Sequence, residues 1–157
     1  MIIMGVDPGT RYAGYAVLKK EKQKTFLIEC GCFDVHKLGS LSDKIVTLYG
    51  LITEKVKEFD VTHIAIETPF LYKNAATFLK LGYVRGIIYL IAGQNKLKLL
   101  EFSPTEVKLG ATGYGKASKE QVANVMLKLF HIKKPQRDDT TDALACALCG
   151  LLNVKQQ

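Results

Sequence analysis

The order of its apolar runs is the feature that most restricts what this chain can fold into. Three runs rich in β-branched and aromatic residues come first, at 1–7, 12–19 and 25–33, and the short turns between them are typical of an antiparallel meander. Two further strand-like runs, 61–66 and 97–100, alternate with segments of helical spacing. Strands in succession, followed by strands that alternate with helices, predict an α/β fold: a mixed five-stranded sheet with helices on both faces.

Five helices are predicted from apolar spacing and from capping signals. Ser40, Ser103 and Ser118 each precede a pattern that caps a helix N-terminus, and Pro104 suits a first helical position. The predicted helices follow Ser40, run from Asn74 to about Gly93, follow Ser103 as far as Gly110, follow Ser118, and run from about Asp138 to Leu152. The glycine-rich stretch 110–116 is predicted to be a mobile loop. The length of 157 residues predicts a single domain, 1–157.

The positive charge of the chain is concentrated in one segment. The formal net charge is +7, and residues 96–137 hold nine Lys or Arg against three acids. Such a segment is expected in a protein that binds a polyanion such as nucleic acid, although a solvated basic face is the alternative interpretation. The first residues lack a secretory signal, and no run is expected to reach the roughly 20 apolar residues of a membrane span. We therefore expect a cytoplasmic protein with no membrane partner and with reduced cysteines.

Four carboxylates stand at the ends of predicted core elements. Asp7 and Glu67 close apolar strands, and Asp139 and Asp142 open the last helix. The second pair is three residues apart, which places it on one helix face; helix capping is the alternative interpretation, and Asp138 competes with Asp139. Carboxylates that converge need a cation to stay ionised together, and Mg²⁺ prefers their oxygens. The pattern indicates a divalent-metal site for phosphodiester chemistry, in which one ion activates water and a second stabilises the leaving oxygen.

Five segments, in order along nearly the whole chain, resemble those of one known family. They are Val6–Ala16, Ile66-Glu67 with Phe70 and Lys73-Asn74 following, Leu81–Gly86, Val107-Lys108, and Asp139–Ala145. The family is the RuvC-type Holliday-junction resolvases. The resemblance implies a ribonuclease H-like fold, a homodimer, and two Mg²⁺ ions per active site, with Mn²⁺ as a substitute. It also implies paired symmetric nicks in four-way junction DNA during recombination and repair, and it raises a branch-migration helicase complex as a further partner.

The resemblance also implies roles for individual residues. The metal ligands fall on Asp7, Glu67, Asp139 and Asp142, and the catalytic-site lysines fall on Lys108 and, less securely, Lys119. The chain departs from the family pattern directly after the glutamate. Thr68-Pro69 stands where the family more often has a polar or acidic residue and then an aliphatic one. This difference leaves the pose of Phe70 open.

The expected DNA contacts are aromatic and basic. Phe70 is expected to stack on an unpaired base at the junction centre, with core or interface packing as the alternative. The remaining candidates for DNA contact are Tyr72, Lys73, Lys80, Arg85, Lys108, Tyr114, Lys116 and Lys119. A structural ion pair is the alternative for Arg85. The spacing of 110–116 resembles a phosphate-binding P-loop, but Ala117 lacks the required hydroxyl and no strand precedes the loop, so ATP binding is not expected.

The favoured function is therefore a crossover junction endodeoxyribonuclease, a structure-selective hydrolase of DNA. Two alternatives stay open on the sequence. One is a ribonuclease H-like nuclease that acts on other branched DNA or on RNA–DNA hybrids. The other is a junction-binding protein without catalysis. The apolar helix 74–93 is the expected dimer interface, although its packing could equally be intramolecular.

Overall fold

The computed structural model describes residues 1–69, 75–133 and 137–154, and within them five strands and five helices follow the predicted order. The elements are β1 (Ile2–Asp7), β2 (Tyr12–Glu21), β3 (Lys24–Asp34), α1 (Leu41–Glu58), β4 (His63–Glu67), α2 (Ala75–Gln94), β5 (Lys98–Phe102), α3 (Pro104–Thr112), α4 (Lys119–Leu129) and α5 (Asp138–Asn153). The expectations for Phe70, Tyr72 and Lys73 lie outside the described residues.

The strands form one mixed sheet in the order β3-β2-β1-β4-β5. β1 pairs antiparallel with β2 and β2 with β3, whereas β1, β4 and β5 run parallel to one another. In the β1–β4 pair Val6 lies opposite Ile66, so the next residues, Asp7 and Glu67, leave the sheet at the same edge. This topology confirms the predicted mixed sheet and explains why two distant carboxylates end side by side.

Helices cover both faces of the sheet, as predicted. The sheet has one hydrophobic core on each face, and alternate residues of a strand belong to different cores because successive side chains point to opposite faces. Met4 belongs to the core formed with α1 and α2, whereas Ile3 belongs to the core formed with α3, α4 and α5. α5 is the central helix of its layer, and its residues 143–151 are all buried.

Two glycines let α5 lie unusually close to the sheet. A Cβ at Gly5 would stand 2.0 Å from the carbonyl oxygen of Ala143, and one at Gly14 would stand 1.9 Å from the carbonyl oxygen of Asp139. No side chain other than hydrogen fits at either position without a shift of backbone. The first turn of α5 is therefore held directly against β1 and β2.

The predicted caps of three helices are confirmed, but the predicted end of α3 is wrong. Ser40, Ser103 and Ser118 each form a complete capping box. α3 does not stop at Gly110; it continues to Thr112 and ends at Gly113, whose φ of 75° is left-handed. Glycine in a helix costs only about 1 kcal/mol relative to alanine, and Gly110 packs against Cys149 of α5.

The correction to α3 also changes the expected loop 110–116. Its first three residues are helical, and only 113–116 lie between α3 and the cap of α4. The Thr112 hydroxyl donates to the carbonyl oxygen of Lys108 at 2.8 Å, and the backbone N–H of Tyr114 donates to that hydroxyl at 3.1 Å. The segment is therefore a short hydrogen-bonded turn rather than a long loop.

α2 differs from the expectation that no segment could span a membrane. By length and composition α2 is apolar enough to do so, and 33% of its apolar 18-residue stretch is buried within the protein. Its buried residues, among them Val84, Ile88 and Ile91, pack in the core with α1. Large apolar side chains on the same helix are exposed: Phe78, Leu79, Tyr83, Tyr89 and Leu90. α2 thus has one face in the core and a second apolar face at the surface.

Candidate active site

One cavity gathers all four predicted carboxylates and both predicted lysines. It has a volume of about 350 Å³ and opens at the edge of the sheet where β1 and β4 end. Its polar lining consists mainly of Asp7, Glu67, Asp139, Asp142, Lys108 and Lys119. The cavity therefore brings together groups from five elements and from both ends of the chain.

The fold accounts for the position of each carboxylate. Asp7 and Glu67 are the last residues of adjacent parallel strands. Asp139 and Asp142 lie in the first turns of α5, which the glycine contacts press onto β1 and β2. Asp139 and Asp142 lie together because they are three residues apart on one helix, and Asp7 and Glu67 lie together because β1 and β4 are paired in register.

The two aspartates of α5 do not serve as helix caps. The N-cap of α5 is Arg137, in extended conformation, and it makes no side-chain capping bond. Asp138 is exposed and does not line the main cavity, whereas Asp139 and Asp142 do. The structure therefore does not support the capping interpretation, and it favours Asp139 over Asp138.

Burial, and after it the repulsion between neighbouring carboxylates, raises carboxyl pKa values in the cavity. Burial raises the pKa of Asp7 to about 7, and the charges of Asp142 and Asp139 add to the effect. Burial is also the main cause of a raised pKa at Glu67, again followed by Asp142. The charge of Asp142 also raises the pKa of the Lys119 ammonium, and for this group a higher pKa favours the charged form. A site in which carboxylates hinder each other's ionisation is one that a multivalent cation would stabilise.

Two of the carboxylates are engaged by cationic side chains. Lys119 Nζ lies 3.3 Å from Asp142 Oδ2, and Arg137 Nε lies 3.2 Å from Asp139 Oδ2. Within 1–69, 75–133 and 137–154, no three His, Cys, Asp or Glu side chains stand close enough together to hold a metal ion as they are placed. Like charges separate unless a cation lies between them. Carboxylate oxygens are the donors that a hard divalent ion prefers. The side chains of these carboxylates would have to rotate toward one another to bind such an ion together.

Arg85 is a structural residue of this site rather than a free cation. Its side chain is buried; Nη2 donates to Glu101 Oε1 at 2.6 Å, and Nη1 donates to the carbonyl oxygen of Glu67 at 2.5 Å. Tyr89 donates its hydroxyl to the same Glu101 oxygen. The expected phosphate contact of Arg85 is therefore corrected to the alternative, an ion pair that ties α2 to the ends of β4 and β5.

The remaining predicted DNA contacts among the described residues are on the surface, away from the cavity lining. Lys80 is exposed on α2, and Tyr114 and Lys116 are exposed in the turn after α3. Sequence reasoning missed Arg137 and Tyr12. The guanidinium of Arg137 lies over the Tyr12 ring, with Cζ 3.3 Å from the ring centroid. The signal in the sequence was the position of Arg137, directly before Asp138 and Asp139.

Comparison with known proteins gives one consistent result. The family model described as "Crossover junction endodeoxyribonuclease RuvC" matches residues 3–150. The protein of that name from Legionella pneumophila (strain Corby) is 36% identical over 148 residues, which cover 94% of this chain and 85% of the relative. The one from Natranaerobius thermophilus is 36% identical over 150 residues, which cover 95% of this chain and 93% of the relative.

Solved structures agree with the sequence comparison. The structure of Thermus thermophilus RuvC superposes with a TM-score of 0.82 at 25% identity, covering 95% of this chain and 92% of that one. The structure titled "T. thermophilus RuvC in complex with Holliday junction substrate" has a TM-score of 0.84 at 22% identity, with the same coverage. The likeness confirms the ribonuclease H-like fold, with its five-stranded mixed sheet and helices on both faces.

Proposed function

The chain belongs to the RuvC family of crossover junction endodeoxyribonucleases, and we infer that it resolves four-way Holliday junctions by hydrolysing DNA phosphodiester bonds during recombination and repair. The observation that carries this conclusion is the convergence of four carboxylates and two lysines in one cavity at the edge of the sheet. The match runs over nearly the whole chain, so it includes every element that lines the cavity.

The carboxylates are the proposed metal ligands. Asp7, Glu67, Asp139 and Asp142 offer only hard oxygen donors, which suits Mg²⁺ and does not suit a soft metal. We propose two Mg²⁺ ions per site, with Mn²⁺ as a substitute; when bound, such ions supply Lewis-acid stabilisation of the phosphate and a more acidic water. The raised pKa of Asp7 supports this assignment, because burial and the neighbouring Asp142 and Asp139 disfavour its charged form, which a bound cation would stabilise.

The lysines have a different role from the carboxylates. Lys108 on α3 and Lys119 at the start of α4 both line the cavity, and the pKa of Lys119 is raised, so its ammonium stays charged at neutral pH. A fixed positive charge beside a phosphate stabilises the negative charge that grows during its displacement. We propose that both lysines act on the scissile phosphate in this way.

The wider DNA surface is proposed from exposure and charge. Lys80, Lys116 and Tyr114 are exposed and free to follow a DNA backbone outside the cavity. Phe70, in the segment after Glu67, stays a predicted base-stacking residue, and Tyr72 and Lys73 stay predicted neighbours of it. The basic excess of 96–137 supports binding that weakens with salt.

Paired nicks on opposed strands require two sites, and we propose that a homodimer supplies them. The exposed apolar side chains of α2, such as Leu79, Tyr83 and Leu90, support an interface there, because such a surface is costly to leave in water. A branch-migration helicase complex stays a predicted partner. We propose a cytoplasmic location, since the relatives are bacterial proteins that act on DNA.

The test is a comparison of substrates of the same sequence. An end-labelled four-way junction, a linear duplex and an RNA–DNA hybrid are incubated with Mg²⁺, and the products are sized and ligated. We expect paired, ligatable nicks in the junction alone. Cutting of the hybrid or of all three substrates would instead indicate a broader ribonuclease H-like nuclease, and binding without cutting would indicate a non-catalytic protein.

A matched pair of variants separates catalysis from folding in the same assay. Asp7→Asn keeps the shape of the side chain but removes a metal ligand, so it should bind the junction normally and not cut it. Lys57→Gln removes an exposed cation from α1, on the opposite side of the sheet, and should cut like the parent protein. Cutting by Asp7→Asn at the parental rate would refute the metal-site assignment.

A further inference from the structure

Arg137 is held in place by an aromatic platform as well as by a charge. Its guanidinium lies over the Tyr12 ring, with Cζ 3.3 Å from the centroid, and its Nε donates to Asp139 Oδ2 at 3.2 Å. The Tyr12 ring is itself stacked on His36, with centroids 5.9 Å apart. The side chain of Arg137 remains 44% exposed. One face of a planar cation is therefore fixed, one donor is engaged by Asp139, and part of the guanidinium stays accessible at the surface.

A shallow depression adjoins the main cavity at this point. Its volume is about 390 Å³, and it shares Asp7, Asp139, Asp142 and Lys119 with the main cavity. Among the described residues that line it, Lys119 and Arg137 are the two cations. Four carboxylates also line it: Asp7, Asp138, Asp139 and Asp142. Once metal ions neutralise the carboxylates it shares with the main cavity, its two cations would suit a phosphate group of the strand to be cut.

We propose that Arg137 changes partner during the reaction: it neutralises Asp139 in the free protein and binds a junction phosphate once Asp139 turns to a metal ion. This inference rests on the proposed function and adds a substrate-binding residue to that site. Asp139 is part of the proposed donor set, yet one of its oxygens is occupied by Arg137. The ion pair and a metal ion thus compete for the same carboxylate.

The platform explains how the exchange can occur without loss of order. A carboxylate bound to a dication attracts arginine less, whereas DNA brings new negative charge to the depression. The stacking on Tyr12 does not depend on which anion is present, so the guanidinium stays in position. Its planar fork also matches two phosphate oxygens at once, which an ammonium does not.

The first test measures metal binding without DNA. Mn²⁺ and Mg²⁺ are titrated calorimetrically into the parent protein and into Arg137→Gln, with circular dichroism as the check of folding. Because the arginine competes with the metal, the variant should bind each ion about 1.5- to 5-fold more tightly, as expected from the strength of a partly exposed ion pair. If Arg137 instead held Asp139 in position for the metal, Arg137→Gln would bind each ion more weakly than the parent protein. Weaker or unchanged metal binding by Arg137→Gln would overturn the proposal.

The second test measures junction binding by fluorescence anisotropy, in EDTA and in Ca²⁺, with a gel to verify that the DNA stays intact. The loss of affinity in Arg137→Gln should be larger in Ca²⁺, where Asp139 is engaged by the ion. In Ca²⁺ its salt dependence should also fall by about one unit of slope, the loss of one phosphate contact. Equal losses in both buffers would refute a change of partner.

Two further variants make the outcome specific to this arginine. Arg137→Lys keeps the charge without the fork, so it should recover less than the full affinity for the junction. Lys57→Gln removes a cation from the opposite layer and should change neither metal affinity nor its coupling to DNA. If the parent protein binds neither metal nor junction, the proposed function fails together with this inference; if it binds both and Arg137→Gln equals it, this inference alone fails.

Discussion

Replacing Gly14 by alanine should disturb the active site without removing a single functional group. Gly14 lies opposite Asp7 in the β1–β2 ladder, and a Cβ there would stand 1.9 Å from the carbonyl oxygen of Asp139. Such contacts are essentially never shorter than 3.0 Å, so the backbones of β2 and the first turn of α5 must separate by at least 1.1 Å, and we expect α5 to take up this shift. The change therefore separates Asp139 and Asp142 from Asp7 and Glu67.

The expected size of the effect follows from that displacement. An error of about 1 Å in a catalytic geometry can lower a rate roughly 100-fold, and overpacking of a tight core typically costs about 1–3 kcal/mol. Gly14→Ala should thus cut a four-way junction about 100-fold more slowly in single-turnover assays with saturating protein. Its urea unfolding should show a loss of about 1–3 kcal/mol, which leaves a folded protein.

A second glycine provides the matched control. Gly50 lies in α1, and a Cβ there would have no atom within 4 Å. Gly50→Ala should leave cleavage unchanged and should stabilise the protein by about 0.5–1 kcal/mol, since alanine is the better helix former. Cleavage by folded Gly14→Ala at the parental rate would show that the close approach of α5 to β2 does not set the geometry of the carboxylates.

Three further predictions address charge. Because the folded-state pKa of Asp7 is raised from 3.8 to about 7, the folded protein binds the Asp7 proton more tightly than the unfolded chain does. In EDTA the free energy of unfolding should therefore fall as pH rises from 4 to 7, by about 1.4 kcal/mol per unit of pKa difference. Asp7→Asn should lose this part of the pH dependence, measured by urea unfolding. The apparent affinity for Mg²⁺ should drop as pH falls below 7, since a protonated Asp7 cannot act as a ligand, and a flat calorimetric profile between pH 6 and 8 would contradict this. Arg85→Leu should cost about 2–4 kcal/mol, somewhat below a fully buried pair because Glu101 is partly exposed; a loss below 1 kcal/mol would mean that the Arg85 ion pair does not secure the end of β4.

The parts of the fold that could be predicted from the sequence are those set by local pattern. Alternating apolar runs, serine caps and helical spacing each act within about ten residues, so the order of the elements and the caps at Ser40, Ser103 and Ser118 were within reach. The carboxylates were also recognisable, because each one marks the end of a core element. Strand ends that meet at one edge then bring Asp7 and Glu67 together.

The errors arose where a contact between distant segments decides the structure. α3 continues past Gly110 to Thr112, and Gly110 packs against Cys149 of α5, a residue far along the chain. Arg85 is buried because Glu101 on β5 and the end of β4 lie beside it. Arg137 depends on Tyr12, from the opposite end of the chain. None of these partners can be identified from local spacing.

We propose that the four carboxylates of this cavity hold the catalytic metal. Crystals of the protein grown or soaked with Mn²⁺ and measured near the manganese absorption edge would locate the ions directly by anomalous scattering. We expect anomalous peaks within bonding distance of Asp7, Glu67, Asp139 and Asp142, with none at these positions in Asp7→Asn. Peaks confined to other parts of the surface, in crystals of a protein that still cuts junctions with Mn²⁺, would contradict it.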